Sequence, residues 1–218
     1  MTWDEMGPIL TEATWDTLYM VGVSTLLALV LGLPLGVLLV LTDNGGLLRS
    51  ATVNRVLGLV VNIGRSLPFL ILMIALIPFT RFVVGTSIGP EAAMVPLTIG
   101  AIPFFARLVE VAVREVDAGL VEAAQSMGAG TWTVVRKVLV PEALPSIVSG
   151  LTTTVIALIG YSAMAGAVGG GGLGDVAVRY GYYRFETQLM VITVVLLILI
   201  VQIVQMIGDF AARRLSHR

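Results

Sequence analysis

The sequence has no cysteine, one histidine (His217) and one lysine (Lys137) among its 218 residues. Without cysteine there are no disulfides, thiolate nucleophiles or cysteine-ligated metal centres. A single histidine at the penultimate position excludes Ser-His-Asp and Cys-His catalysis and leaves no multi-histidine metal site. The lysine follows Arg136 rather than a glycine, so the GxxxxGK[ST] phosphate-binding loop is absent. We therefore predict no enzyme activity and no metal or cofactor in this chain, and any ATP must be bound by another subunit.

Charged residues are also scarce. Asp, Glu, Lys and Arg make up 12% of the chain, about half the share usual in a soluble domain, whereas 57% of the residues are hydrophobic. The formal net charge of -1 offers no basic surface to nucleic acid. The composition therefore predicts a membrane protein whose surface largely faces lipid.

Five apolar stretches are long enough to cross a bilayer core, which needs about 20 residues per helix. They cover residues 17–41, 56–79, 90–113, 145–168 and 188–208. The sequence thus predicts an all-α protein with five transmembrane helices. The third and fourth stretches are rich in Ala, Gly and Thr, which favours close helix packing inside the bundle, and Gly32 and Gly36 predict the same for part of the first.

The distribution of Lys and Arg predicts the orientation, because basic residues accumulate on the cytoplasmic side. The first 16 residues are acidic and contain no basic residue. With that end outside, nine of the basic residues fall on the inner side: Arg49, Arg55, Arg107, Arg114, Arg136, Lys137, Arg213, Arg214 and Arg218. We therefore predict an N-out, C-in protein of the cell (inner) membrane, with an extracytoplasmic tail (1–16), a transmembrane domain (17–208) and a cytoplasmic basic tail (209–218).

One sizeable segment outside the predicted spans, residues 114–142, falls on the cytoplasmic side. Asp117 is suited to cap a short helix, and Gly128 is suited to end it. A second short helix is predicted to start at Thr131 and to stop before Pro141. Such a small helix-turn-helix elbow is not stable alone and needs a partner surface.

The elbow resembles the EAA loop of ABC importer permeases. That pattern is EAA, three residues, Gly, nine residues, then Ile-x-Leu-Pro, and this chain departs from it only by valine at the Ile and Leu positions. In that family the loop docks into a cleft of the ATP-binding subunit and couples its closure to the membrane helices. The resemblance implies coupling roles for Glu122, Ala123, Ala124, Gly128, Val138, Val140 and Pro141.

Nearly the whole chain is similar to the permeases of methionine-type ABC importers. The stretches that carry the similarity are 65–69, 77–81, 84–89, 138–145, 160–164 and 169–174. The resemblance implies a type I ABC importer permease fold, a homodimer, two ABC ATPase subunits that hold ATP and Mg²⁺, and an extracytoplasmic substrate-binding protein. It also implies that the pathway across the cytoplasmic membrane carries methionine.

Four residues are candidates for the pathway or its gate. Arg65 lies within the second predicted span, where an ionisable side chain is functional by default, although snorkelling or pairing with carbonyls freed at Pro68 would also explain it. Tyr161, Ser162 and Met164 lie late in the fourth span and would suit a substrate with an apolar tail, although methionine is equally a core filler. Gly169, Gly171 and Gly174 match GxGxxG by letter but follow an apolar helix rather than a strand, which argues against dinucleotide binding.

Other functions stay open at this stage. Within the importer class the substrate could be another small amino acid or metabolite. An ATP-independent channel or proton-driven transporter is less favoured, because Glu110 and Asp209 lie near the ends of their spans rather than in a relay. An intramembrane serine protease based on Ser162 lacks a base, since His217 is at the tail and Lys137 is cytoplasmic.

Overall fold

The computed structural model describes residues 3–216, which form helices joined by short turns and contain no strand. Met1, Thr2, His217 and Arg218, at the ends of the two predicted tails, lie outside the described residues. The helices are α1 (Trp3–Thr42), α2 (Ala51–Ser66), α3 (Phe69–Ala75), α4 (Ile77–Val84), α5 (Pro90–Arg114), α6 (Ala118–Ser126), α7 (Thr131–Val134), α8 (Val140–Gly166), α9 (Gly172–Val176) and α10 (Thr187–Leu215).

Four of the described segments are long and apolar enough to cross a membrane: α1, α5, the continuous helix Thr131–Gly166, and α10. The second predicted span, residues 56–79, is broken. The chain bends by 102° between α2 and α3, where Leu67 has extended backbone angles (φ -79°, ψ 126°). Pro68 explains the break, because its ring disfavours helical geometry at the preceding residue and it has no N–H to donate.

Residues 3–16, which were predicted to form an extracytoplasmic tail, are helical and form the first turns of α1. Met6, Leu10 and Ala13 are buried there against Leu173 and Leu189, so tertiary packing extends the helix beyond the predicted span. Similarly, most of the predicted C-terminal tail belongs to α10, which continues to Leu215. The acidic and basic residues of these two segments had suggested tails, but they lie on helices that also have an apolar side.

The helices form a bundle with α5 in its interior, as the small residues of this span predicted. In the most apolar part of each helix, 56% of the residues of α5 are buried, against 39% for the segment Thr131–Gly166, 33% for α1 and 6% for α10. The segment with α8 is therefore only slightly more buried than α1. A cluster at one end of the bundle joins α1, α5, the elbow and α8: Val37, Leu41, Phe105, Val109, Ala112, Val113, Ala124, Val134, Val135, Leu139, Ala143 and Ile147. We call this the elbow cluster, since it is the surface on which the elbow rests.

Candidate functional site

The first helix of the elbow, α6, is capped at both ends by the residues that the sequence predicted. The carboxylate of Asp117 accepts a hydrogen bond of 2.6 Å from the backbone N–H of Gly119. At the other end, the N–H groups of Gly128 and Ala129 donate to carbonyls in the last turn of α6, at 2.9 and 3.0 Å. This is a Schellman motif, and Gly128 occupies its left-handed position with φ of 81°.

The structure divides the EAA residues between two faces of α6. Glu122, Ala123 and Gly128 are exposed, whereas Ala124 is only 7% exposed and belongs to the elbow cluster. The sequence placed Ala124 at the interface with the ATPase, but its methyl group is packed inside this chain. Consecutive residues of a helix point about 100° apart, so a helix that packs on its own protein can bury one residue of an Ala-Ala pair and expose the other.

The second part of the elbow does not stop before Pro141, and this prediction is wrong. α7 continues through a π-helical turn (Val135–Leu139) directly into α8. Val138 and Val140 are half-buried against the elbow cluster and Pro141 is exposed. Pro141 is accommodated because it stands in the first turn of α8, just after the wider π-helical turn, where the regular hydrogen-bond ladder is already interrupted.

Three apolar side chains of the elbow point outward. Leu120, Met127 and Trp132 are 44%, 82% and 64% exposed. They lie beside exposed Glu122 and Ala123 on a segment outside the apolar spans, where lipid does not account for exposed apolar groups. Leu120, Met127 and Trp132 are not among the residues to which the resemblance assigned a coupling role.

The candidate pathway residues are only partly brought together. Tyr161 of α8 stacks on Phe69, the first residue of α3, with ring centroids 4.6 Å apart and planes 10° from parallel. Met164 is exposed, whereas Ser162 is 2% exposed and donates its hydroxyl to the carbonyl of Ile159 at 2.8 Å. Ser162 therefore lies in the packed interior of this chain and does not share an open face with Met164.

Arg65 lies in the last turn of α2, immediately before the bend. Its side chain is exposed and makes no hydrogen bond or ion pair to any residue in the range 3–216. The alternative in which Arg65 satisfies carbonyls freed at Pro68 is therefore not seen. Just before it, Gly64 packs against Pro103 of α5, so the end of α2 is held close to the bundle.

A charged network lies at the elbow end of α5 and includes a residue of the loop after α1, far from α5 in the sequence. Glu110, with a side chain 5% exposed, accepts hydrogen bonds from Arg107 at 2.7 Å and from Nε and Nη2 of Arg114 at 3.1 and 2.9 Å. Arg114 also extends Nη1 to Asp43, in the loop after α1, at 2.7 Å. This contact and the N–H of Asn44 hold the pKa of the Asp43 carboxyl below its usual range, so Asp43 is charged at neutral pH.

Among residues 3–216, no group of three or more His, Asp or Glu side chains is arranged to hold a metal ion. The candidate site consists of an outward-facing elbow, a charged network behind it, and an exposed face around the bend of the second span. Such an arrangement is suited to mechanical contact with other proteins.

Comparisons with known proteins agree with this architecture. Residues 32–218 match the family model described as "Binding-protein-dependent transport system inner membrane component". A Vibrio cholerae protein described as a probable D-methionine transport system permease is 60% identical over 210 residues, covering 96% of this chain and 93% of that protein. A Bacillus subtilis methionine import system permease is 51% identical over 209 residues, covering 96% and 94%.

Solved structures of ABC transporters are also similar to this chain. The chain superposes on a crystal structure of the MetNI methionine ABC transporter in an inward-facing conformation with a TM-score of 0.97 and 48% identity, covering all of both chains. It shares its fold alone with a more distant amino acid ABC transporter, at a TM-score of 0.79 and 19% identity. The chain therefore belongs to the family of binding-protein-dependent transport system inner membrane components, multi-pass proteins of the inner membrane with the type I importer permease fold.

Proposed function

We propose that this chain is the permease subunit of an ATP-driven methionine importer. Two copies form the translocation pathway, two ABC ATPase subunits holding ATP and Mg²⁺ bind the elbows, and an extracytoplasmic binding protein delivers the substrate. The substrate assignment is supported by the two relatives above, whose descriptions name methionine and which match along almost their whole length. The chain itself performs no hydrolysis in this scheme.

The observation that carries the proposal is the construction of the elbow. α6 is closed by Asp117 and Gly128 and anchored through Ala124. The elbow as a whole exposes Ala123 and three apolar side chains, while exposed Glu122 borders a cavity beside Arg114. Exposed apolar groups rimmed by small and charged residues mark a protein contact. A rigid, capped helix of this kind transmits displacement, because it moves as a unit with the core on which it rests.

Exposure along the second span supports pairing with a second copy. Most of the side chains of α2 and α3 are exposed, including Leu59, Ile63 and Ile71, and only Val61, Phe69 and Met73 are buried. Arg65 lies on the same segment and is 14 residues after the start of α2. A bent span containing an arginine is poorly suited to lipid, whereas a symmetric interface around a pathway would hydrate or pair that charge.

The proposed mechanism is alternating access driven by the ATPase subunits. Closure of the two ATPase subunits draws the two elbows together, and each elbow moves α5 and α8 through the elbow cluster. Arg65, Tyr161 and Met164 then border the pathway, with the Phe69–Tyr161 stack linking α8 to the bent span. Ser162 keeps its place inside the bundle.

The proposal is tested by reconstituting the permease with its ATPase and binding protein in proteoliposomes and measuring uptake of labelled methionine. We expect uptake to require both ATP and the binding protein, and to be reduced by unlabelled methionine but not by other amino acids. Uptake without ATP would instead indicate a channel or secondary transporter. Equal competition by another amino acid would reassign the substrate within the same importer class.

A further inference from the structure

The charged network at the elbow end of α5 joins the end of this helix to the loop after α1 by ion pairs. This inference rests on the proposed function. We propose that Asp43, Glu110 and Arg114 are positioning residues for energy coupling, which lock the end of α5 to the loop between α1 and α2. The lock makes α1 and α5 move as one body when the elbow is displaced.

The network continues a contact that already joins the two helices. Ala106, Glu110 and Arg114 follow at four-residue spacing along one side of α5. At Ala106 the two backbones are so close that a Cβ on Gly36 of α1 would lie 2.4 Å from the Ala106 carbonyl oxygen. Arg114 stands two helical turns further along and reaches Asp43 just beyond the end of α1.

The loop that carries Asp43 is held in place by its own hydrogen bonds. Leu48 and Ser50 donate backbone N–H groups to the carbonyls of Leu41 and Thr42, at 2.8 and 3.0 Å. The amide of Asn54 donates to the carbonyl of Leu39 at 2.7 Å. Asp43 is therefore a fixed anchor for Arg114 rather than a side chain on a loose loop.

The side of α6 that faces the Asp43 loop borders a cavity. A cavity of about 760 Å³ separates the Asp43 loop and Arg114 from α6, whose Val121, Glu122 and Gln125 form its other wall. α6 thus rests on the elbow cluster but is not packed against the loop. Displacement of α6 can change the width of this cavity, while the network holds the Asp43 loop and Arg114 in place.

The opposite charges of the network balance one another, and Asp43 is the member that ties α5 to the loop. Arg107 and Arg114 balance Glu110 and Asp43, so the group is neutral. If Asp43 loses its charge, Arg114 keeps only the buried Glu110, and the guanidinium no longer ties α5 to the loop. An exposed ion pair is worth little as a source of stability, so its main effect is on geometry.

The test measures ATP hydrolysed per methionine imported in proteoliposomes that contain the whole importer. We expect Asp43→Asn to raise this ratio about two- to five-fold, the range corresponding to loss of one partly exposed ion pair. Asp43→Glu retains the charge and should keep the ratio close to that of the wild type. Glu115→Gln is the matched control, because it removes an exposed carboxylate next to Arg114 that is outside the network, and it should leave the ratio unchanged.

A purely structural role would give a different result. In that case Asp43→Asn would lower the melting temperature of the purified complex without changing the ratio, and the inference would be overturned. A change of equal size in Glu115→Gln would also overturn it, since general charge rather than the lock would be responsible. If the wild-type complex shows no ATP-driven uptake, the proposed function fails as well, so the two failures are distinguished by the wild-type arm.

Discussion

Ala124 and Gly128 are both small residues of the elbow, but the structure requires each for a different reason. Ala124 is buried in the elbow cluster, where a larger side chain would push α6 away from α5. Gly128 is exposed, and a Cβ there would meet no atom within 4 Å. Glycine is required at position 128 because of the backbone conformation, since residues with a side chain rarely adopt φ of 81°.

Gly128→Ala should therefore impair coupling without filling any space. A residue with a Cβ in the left-handed conformation costs roughly 1–2 kcal/mol, which frays the end of α6. We expect methionine uptake to fall while the complex still assembles. Gly130→Ala is the control, because Gly130 has φ of -71° and a Cβ there also meets nothing. Equal loss of uptake in both variants would contradict this account.

Substitutions at Met164 and Ser162 distinguish a role in the pathway from a role in packing. We expect Met164→Ala to change the rate of methionine uptake, because this side chain is exposed on α8. Ser162→Ala removes one hydrogen bond to the helix's own backbone and should change uptake little. Met206→Ala, on the exposed side of α10, controls for loss of an exposed methionine. Normal uptake in Met164→Ala would remove Met164 from the pathway.

At the scale of whole elements, the most extensive contact between the described helices is that of α1 with α5. Gly36 faces the carbonyl of Ala106 and the side chain of Val109. Close approach of two backbones is the usual source of helix association in lipid, where apolar side chains gain little from burial. The contact allows α1, the longest helix of the described chain, to stay attached along the bundle.

Gly36→Ala should separate the two helices, because the new Cβ would lie 2.4 Å from a backbone oxygen that cannot rotate away. Overpacking of this kind costs typically about 1–3 kcal/mol. We expect a lower melting temperature for the detergent-purified permease. Gly22→Ala on the same helix has nothing within 4 Å of its Cβ and should not lower it. An unchanged melting temperature in Gly36→Ala would show that the contact is not rigid.

For the whole molecule, the elbow and the network lie at one end of the bundle, and the loop between α4 and α5 lies at the other end of α5. The proposed coupling requires these two ends to face opposite sides of the membrane, with the elbow on the side of the ATPase. The absence of cysteine makes this directly measurable, since any introduced thiol is unique.

Asn44→Cys and Thr86→Cys place single thiols on exposed positions at the two ends. With the N-terminus outside, a membrane-impermeant maleimide added to spheroplasts should label Thr86→Cys at once and Asn44→Cys only after lysis. The reverse pattern would place the elbow outside and contradict both proposals. Labelling each variant before and after lysis supplies the internal control.

Features that depend on neighbouring residues were predictable. Span number, the Asp117 cap and the glycine stop at Gly128 follow from length, hydropathy and local hydrogen bonding. The helical start of α1 was missed because Met6 and Leu10 are buried by Leu173 and Leu189, far away along the chain. The charged network was missed for the same reason, since Asp43 and Arg114 are joined only when α1 and α5 pack together.

The sequence by itself determined that the protein lies in a membrane, that it has an elbow outside the apolar spans, and which residues cap that elbow. These properties follow from composition and from contacts within a few residues. Only the tertiary structure decided that Ala124 faces inward and Ala123 outward, that the second span bends by 102°, and that Arg114 holds Asp43. The orientation of the alanine pair and the contact between Arg114 and Asp43 depend on the position of another helix. Pro68 breaks the second span locally, but periodicity along one chain segment does not specify the angle of the bend.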